Sequence, residues 1–237
     1  MLPNVWDVAS ARAVQAAGFP AVATSSAAVA ETLGYADGEA APVAEVLDAV
    51  ARIVAAVSVP VTADLERGYG MAPAELVERL AATGAVGCNL EDSRPGTGEL
   101  VEVGEQADFI AAVRAAARIA GIDLAINARI DTYLADARTG DSGRAGGAGA
   151  DRLAETVARA RAYLAAGADC VYPILLTDPE AIRTLVAHGP VNALYQLGVA
   201  GPGPAELARW GVARISLGPS VFRAVHTHLA NLLANLC

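Results

Sequence analysis

The sequence lacks the cysteine patterns typical of disulfide-rich and zinc-binding proteins. Its three cysteines, Cys88, Cys170 and Cys237, are widely spaced, and none forms a CxxC pair or has a histidine at ligand spacing. The pattern therefore predicts neither a disulfide framework nor a zinc site. Cys88 and Cys170 are expected to be small buried apolar residues.

The sequence also lacks the features of membrane, secreted and nucleic-acid-binding proteins. Charged residues interrupt every alanine-rich segment, so none approaches the roughly 20 apolar residues of a membrane span. The first residues have neither the charged region nor the long apolar stretch of a secretory signal, and we expect a cytosolic protein. A formal net charge of -9 without a basic patch argues against binding to nucleic acid.

The composition is that of a folded chain with one large core. Hydrophobic residues make up 54% of its 237 residues and charged residues 18%, which excludes disorder on a large scale. Short β-branched runs alternate with alanine-rich amphipathic segments, and this alternation repeats eight times. Eight such units predict a parallel sheet covered by helices and closed as a (β/α)8 barrel, in a single domain over residues 1–237.

An open, doubly wound sheet is the alternative fold, although no G-x-G-x-x-G follows the first strand and no Walker motif occurs. The glycine-rich segment 138–150 interrupts the alternation of strand-like and helix-like segments, and it is expected to be a mobile insertion in the fifth unit. The predicted strands cover 2–6, 21–24, 59–63, 86–90, 124–128, 170–175, 191–195 and 213–217. The predicted helices cover 10–17, 42–56, 73–82, 107–120, 153–166, 179–187, 204–210 and 220–236.

The third predicted strand is followed by an acidic stretch, and the predicted functional site is centred on it. Because side chains alternate along a strand, Asp64 and Glu66 are expected on the same face. Two carboxylates this close repel each other, so a hard cation, an arginine or a shared proton must compensate them.

Polar residues follow most of the other predicted strands, at the end where barrel enzymes have their active sites. The acids Asp64, Glu66 and Glu91, together with Arg129, suit Mg²⁺ held partly through water. Such an ion can stabilise the enolate of a 2-oxo acid, with Arg129 binding a carboxylate or phosphonyl group. Backbone amides near Ser25 and Ser26 could bind further oxygens, or the serine hydroxyls could simply satisfy the strand end.

Several of these motifs resemble the isocitrate lyase and phosphoenolpyruvate mutase superfamily, and the resemblance covers nearly the whole chain. The segments that carry it are NVWDVASAR at 4–12, AGF at 17–19, TSS at 24–26, LGYADG at 33–38, DLERGYG at 64–70, NLED at 89–92 and NARID at 127–131. The segment at 64–70 is similar to the superfamily's Asp-x-Asp/Glu-x-Gly-Tyr-Gly metal motif.

The resemblance implies a Mg²⁺-dependent barrel that makes or breaks C–C or P–C bonds next to a 2-oxo acid. It implies metal-site roles for Asp64, Glu66 and Glu91. Asp37, Glu91 and Arg129 are expected to be catalytic, with Arg129 also binding the substrate, and the backbone at Ser25 and Ser26 is expected to hold its carboxylate. Thr24, Tyr35 and Asn127, in the matching motifs, are predicted to contact the substrate. Homo-oligomers, dimers or tetramers, are also implied, with exchange of the last helix, 220–237; alternatively that helix only covers the barrel.

One segment departs from the superfamily pattern. The lyases have Lys-(Lys/Arg)-Cys-Gly-His in a gating loop after Glu91 and Asp92, whereas this chain has SRPGTGEL at 93–100. Neither isocitrate lyase nor 2-methylisocitrate lyase activity is expected, and the asparagine of the mutases' loop is also missing. Decarboxylation or hydrolysis of an oxaloacetate-like or phosphonopyruvate-like acid is expected instead, with an uncharacterised activity as the alternative.

Three questions stay open at this level. Asp37, Asp92, Tyr35 and Tyr172 are unranked candidates for the general base. The chain could be a binding protein that kept the metal and oxo-acid pocket without turnover. It could also be a phosphate-binding barrel of another family that uses the amides at 218–220.

Overall fold

The computed structural model describes residues 1–139 and 148–236, in which eight strands alternate with helices. The strands are β1 Asn4–Val5, β2 Val22–Thr24, β3 Val61–Asp64, β4 Gly87–Glu91, β5 Ala125–Ile130, β6 Cys170–Pro173, β7 Asn192–Leu194 and β8 Arg214–Ser216. The helices are α1 Val8–Ala16, α2 Ser26–Leu33, α3 Val43–Ala56, α4 Pro73–Ala82, α5 Val103–Ile119, α6 Thr132–Thr139, α7 Ala148–Ala165, α8 Pro179–Val186, α9 Pro204–Arg209 and α10 Ser220–Ala234.

The strands form a closed ring. β1 to β6 pair in parallel and in sequence order, and β7 pairs in parallel with β8. Single bridges complete the ring, from Val171 to Val191 between β6 and β7 and from Leu2 to Ser216 between β8 and β1. This closure confirms the predicted (β/α)8 barrel and excludes the open sheet, which would leave two edge strands unpaired.

Local sequence explains how the chain turns between these elements. Proline occupies the first position of α4 and α8, where its missing N–H costs no hydrogen bond, and the Asp178 side chain caps α8 by accepting from the amide of Ala181 at 2.8 Å. After α4 the chain returns to the sheet through Gly84, whose φ of 80° lies in the left-handed region. The core lies between the strands and the surrounding helices, and Leu76 and Ile110 are fully buried in it.

The structure differs from the prediction mainly in two additional helices. All eight strands are where the alternation placed them, within two residues at each end. The prediction assumed one helix per unit, and it therefore missed α2 and α6, each of which begins within two residues of a strand end. Residues 140–147 of the predicted mobile insertion lie outside the described residues, whereas its two ends belong to α6 and α7.

None of the helices in the described part of the chain combines the length and the apolar character needed to cross a membrane. The single domain over residues 1–237 stays a prediction.

Candidate active site

A cavity of about 230 Å³ opens where the strands end. It brings together seven of the residues predicted from the sequence: Thr24, Ser25, Ser26, Asp37, Asp64, Asn127 and Arg129. Three predicted residues, Tyr35, Glu66 and Glu91, are not part of its wall. The cavity therefore contains one of the three predicted metal-site acids, Asp64, together with Asp37 from the loop after α2.

A ladder of side chains holds Asp64. Asp64, Asn89 and Asn127 are register partners on β3, β4 and β5. The Asn127 amide donates to Asn89 Oδ1 at 2.6 Å, and the Asn89 amide donates to Asp64 Oδ1 at 2.8 Å. The second oxygen of Asp64 accepts from the backbone amide of Ser26 at 3.0 Å, and the Asp64 amide donates to the Thr24 hydroxyl at 2.8 Å. The carboxylate is thus fixed before any ligand binds.

Glu66 lies beyond the end of β3, which corrects the expectation that its carboxylate and that of Asp64 share a strand face. β3 ends at Asp64, and Glu66 has a φ of 50°, so the alternation of an extended strand does not continue to it. Its carboxylate accepts from the Tyr69 hydroxyl at 2.6 Å and from the Glu39 amide at 2.7 Å. The Glu39 carboxylate in turn accepts from the amides of Arg67 and Tyr69 at 2.9 and 2.7 Å.

The guanidinium of Arg129 is occupied by two carboxylates. Its NH1 lies 2.6 Å from Glu91 Oε2, and its Nε and NH2 donate to the two oxygens of Asp131 at 2.6 and 3.0 Å. Although burial opposes it, these carboxylates raise the pKa of Arg129 above its ordinary value. The guanidinium that was predicted to bind an acidic group of the substrate is thus already paired with carboxylates of the protein.

Two acids at or near the cavity, Asp37 and Glu66, have raised pKa values. Burial raises the pKa of Asp37, and repulsion from Asp64 adds to the shift. Burial raises the pKa of Glu66 to about 7; the hydrogen bond from Tyr69 opposes this shift, and the charges of Asp37 and Asp64 add to it. Repulsion between neighbouring carboxylates is typical of a site that receives a cation.

A divalent cation fits this site only with few direct protein ligands. Within the described ranges, no three His, Cys, Asp or Glu side chains are grouped so that they could hold a metal ion. The predicted set of Asp64, Glu66 and Glu91 does not form such a group here, and its role in binding a metal ion stays a prediction. Asp64 and Asp37 offer carboxylate oxygens in the cavity, and Mg²⁺ commonly keeps several waters beside one or two carboxylates.

The structure separates the four candidates for the general base. Asp92 is fully buried and binds the side chains of Arg159 and Tyr163, away from the cavity. The Tyr35 hydroxyl donates to Glu45 at 3.0 Å, also outside the cavity. Asp37 and Tyr172 do line it, and because burial raises the pKa of Tyr172, its phenol keeps its proton at neutral pH.

The backbone amides that the sequence singled out already have acceptors in the protein. The Ser25 amide donates to the Val5 carbonyl at 3.1 Å, and the Ser26 amide donates to Asp64. The Gly218 amide donates to Asn4 Oδ1 at 2.9 Å, and the Ser220 amide donates to the Leu217 carbonyl at 3.2 Å. The amides of Gly218 and Ser220 are therefore already bonded, and Pro219 between them has no N–H. The phosphate-binding alternative is left without a free backbone donor in this segment.

The segment that replaces the gating loop is a compact turn. Ser93 and Leu100 form an antiparallel bridge, and the Arg94 amide donates to the Glu99 carbonyl at 2.8 Å. The Arg94 side chain pairs with Glu105 at 2.8 Å. Residues 93–100 do not line the cavity, so no acid or base from this segment reaches it in this conformation.

Arg214 and Glu39 are site residues that the sequence analysis missed. Arg214 lines the cavity from β8, two positions before Ser216, which lines it as well. The period of two along a strand could have identified Arg214. Glu39 gives no such signal, because its contacts depend on a loop with positive φ angles.

The fold and the site together define a barrel enzyme whose cavity, at the carboxyl ends of the strands, contains convergent acids. The profile of the family described as phosphoenolpyruvate phosphomutase matches residues 1–237, and the chain belongs to this family, in which lyases and mutases are found.

Three relatives illustrate the similarity. A crystal structure from Burkholderia cenocepacia J2315, provisionally named a phosphonomutase, is 45% identical, with a TM-score of 0.88 over 98% of this chain and 92% of that one. An uncharacterised protein of Mycobacterium tuberculosis (strain ATCC 25618 / H37Rv) is 32% identical over 94% of this chain and 79% of its own length. An oxaloacetate decarboxylase of Rhodopseudomonas palustris (strain BisB5) is 30% identical over 87% of this chain and 67% of its own.

Proposed function

We propose that the chain is a Mg²⁺-dependent enzyme that cleaves or rearranges a C–C or P–C bond of a small 2-oxo acid through an enolate. The observation that carries the proposal is the fixed carboxylate of Asp64 in the cavity, facing the additional acid Asp37. The name of the Rhodopseudomonas relative supports an oxaloacetate-like substrate, and the family's description supports a phosphonate.

The residues in and around the cavity would have the following roles. Asp64 would hold the cation directly, with Asp37 beside it and with Glu66 and Glu91 acting through water. Bound Mg²⁺ supplies the positive charge that stabilises negative charge developing on the 2-oxo oxygen. The hydrogen bonds from Asn127 to Asn89 and from Asn89 to Asp64 prevent the carboxylate of Asp64 from rotating. Tyr172 keeps its proton at neutral pH and can therefore donate a hydrogen bond to the substrate, and Asp37 is the acid available to accept a proton.

Replacement of Asp64 tests this proposal. Asp64→Asn keeps the size and, with its oxygen toward Ser26, one hydrogen bond, but it removes the charge and the acceptor of the Asn89 side chain. We expect it to abolish Mg²⁺-dependent binding of oxalate in calorimetry and turnover of oxaloacetate, with an unchanged circular dichroism spectrum. The matched control is Asp48→Asn, because Asp48 is exposed on α3 and does not line the cavity. Full Mg²⁺-dependent activity in Asp64→Asn would refute the proposal.

A binding protein without turnover is the second candidate. Two observations favour it: the gating-loop segment lacks Cys, His and Lys, and Glu91 and Asp131 fill the fork of Arg129. Calorimetry that detects Mg²⁺-dependent oxalate binding, alongside no consumption of oxaloacetate or phosphonopyruvate, would select this candidate. Consumption of either acid by the wild type, lost in Asp64→Asn, would reject it.

We propose further that the chain forms homo-oligomers through α10. From Arg223 onward the helix is exposed, and Val225, Leu229 and Leu232 recur along one face, each about half-exposed. Exchange of this helix between subunits would bury the face. Light scattering should give a dimer or tetramer for the wild type and a smaller species for Leu229→Glu. Ile119→Glu, at an 89% exposed position at the end of α5, is the control.

The cytoplasmic location and the single domain over 1–237 are likewise proposals. A single cooperative transition in urea, seen equally by tryptophan fluorescence and circular dichroism, would support one domain. Fractionation of expressing cells would test the location, since recovery of the protein with the membranes would contradict it.

A further inference from the structure

Arg214 is a largely buried cation that lacks an acidic partner. It lies on β8, lines the cavity, and its Nε approaches the Ser216 hydroxyl at 3.4 Å. In the part of the chain that the structure describes, no carboxylate lies within ion-pair distance of its guanidinium. Burial without such a partner lowers the pKa of Arg214 below its ordinary value.

Other arginines that are withdrawn from solvent are treated differently. Arg114 pairs with Asp169, Arg159 pairs with Asp92, and Arg129 has its two carboxylates. An arginine cannot lose its proton to avoid the cost of burial, so a buried guanidinium normally has an anion beside it. The described part of the protein provides no such anion for Arg214. Because Arg214 lines the cavity, an anion bound there could take that place.

The neighbouring Ser216 has an unused donor. Its oxygen accepts from the Asn192 side chain at 3.0 Å and from Arg214 Nε at 3.4 Å, which takes up both lone pairs. Its own hydrogen therefore remains available, and Ser216 lines the same cavity. Arg214 and Ser216 thus present charged and neutral donors side by side, the combination that binds an acidic group.

We propose that Arg214 and Ser216 bind the second acidic group of the substrate, so that the enzyme selects 2-oxo acids with a carboxylate or phosphonate at the far end. This inference rests on the proposed function, which assigns the 2-oxo carboxylate end of the substrate to Asp64 and its cation. Arg129 cannot take the distal group without breaking two carboxylate pairs, whereas Arg214 requires no exchange of partners. A cavity of about 230 Å³ suits acids of three or four carbons.

Two ligands of equal charge test the assignment by calorimetry with the full chain and Mg²⁺. Oxalate presents only the chelating end, whereas 3-sulfopyruvate adds a sulfonate at the distal position and does not decarboxylate. Arg214→Gln should weaken 3-sulfopyruvate binding roughly 10- to 100-fold, the range for hydrogen bonds to a charged group, and change oxalate binding less than about threefold. Arg214→Lys should recover part of the loss, and exposed Arg209→Gln is the control.

Each result decides the question. Equal affinities of Arg214→Gln and wild type for 3-sulfopyruvate would overturn the role of Arg214 while the proposed function stands. Equal losses for both ligands would also overturn it, because they would indicate a general structural effect. A wild type that binds neither ligand would refute the proposed function and this inference together. If Arg214→Gln does not fold, Ser216→Ala must show a selective loss for 3-sulfopyruvate of about threefold or more, and no such loss overturns the proposal.

Discussion

Replacing Asp92 by asparagine should destabilise the protein strongly, because Asp92 is the fully buried centre of a charged network. One of its oxygens accepts from Arg159 NH1 at 3.0 Å and from the Tyr163 hydroxyl at 2.7 Å. The other accepts from the Asp131 amide at 2.8 Å. Arg159 also donates to the Val101 carbonyl at 2.8 Å, so the network joins the ends of β4 and β5 to α7 and to the start of α5.

The magnitude follows from what the asparagine would leave behind. The amide keeps the shape of the side chain but leaves the Arg159 guanidinium without a buried counter-charge; its other carboxylate partner, Glu155, is half-exposed. Breaking a buried ion pair by removing one partner costs about 3–5 kcal/mol. In a chain of this size that corresponds to a fall in Tm of roughly 6–20 °C.

Urea unfolding followed by circular dichroism, with thermal unfolding as a second measurement, tests this value. Glu155→Gln is the matched control, because it removes the other partner of Arg159 at an exposed position and should cost about 1 kcal/mol or less. The reasoning fails if Asp92→Asn lowers the free energy of unfolding by less than about 1 kcal/mol, or by no more than the control does.

Three further predictions address the core and the closure of the barrel. Cys88 is fully buried, which raises the pKa of its thiol from 9.0 to about 12, so at pH 8 it should resist iodoacetamide in the native protein and react in urea, as located by mass spectrometry. Gly87→Ala places a Cβ 2.8 Å from a backbone carbonyl oxygen of β5 and should lower the free energy of unfolding by about 1–3 kcal/mol, whereas Gly104→Ala meets no atom within 4 Å and should not. Asn4→Ala removes the acceptor of two amides, one of them that of Gly218, and should cost about 2–4 kcal/mol in urea unfolding. The first prediction is contradicted if Cys88 reacts as fast in the native protein as in urea. The other two are contradicted if Gly87→Ala or Asn4→Ala leaves the free energy of unfolding unchanged.

The fold was predictable because it depends on periodicity. Apolar runs bounded by glycine and proline placed all eight strands, and the number of units indicated closure. The helices α2 and α6 were missed because each occupies a connection that the pattern assigned to a loop. Helices this close to a strand end are stabilised by tertiary packing, as at buried Val29 in α2, and a local pattern does not contain that contribution.

The candidate site was predictable only as far as strand alternation extends. Asp64, Asn127 and Arg129 occupy strand positions, and the structure places them at one cavity. Glu66 follows the end of its strand at a positive φ, where alternation no longer determines direction. Sequence also cannot state which ions are already paired, so Arg129 was read as available to a substrate and Arg214 was overlooked.

The uneven closure of the ring has a consequence for motion. β7 and β8 pair with each other, but a single bridge joins the pair to the rest of the ring at each side. The amides of this pair should therefore exchange with deuterium faster than those between β4 and β5, which five register pairs protect. A ligand that touches both Asp64 and Arg214 would connect the two parts of the ring, and it should slow exchange in β7 and β8 in particular.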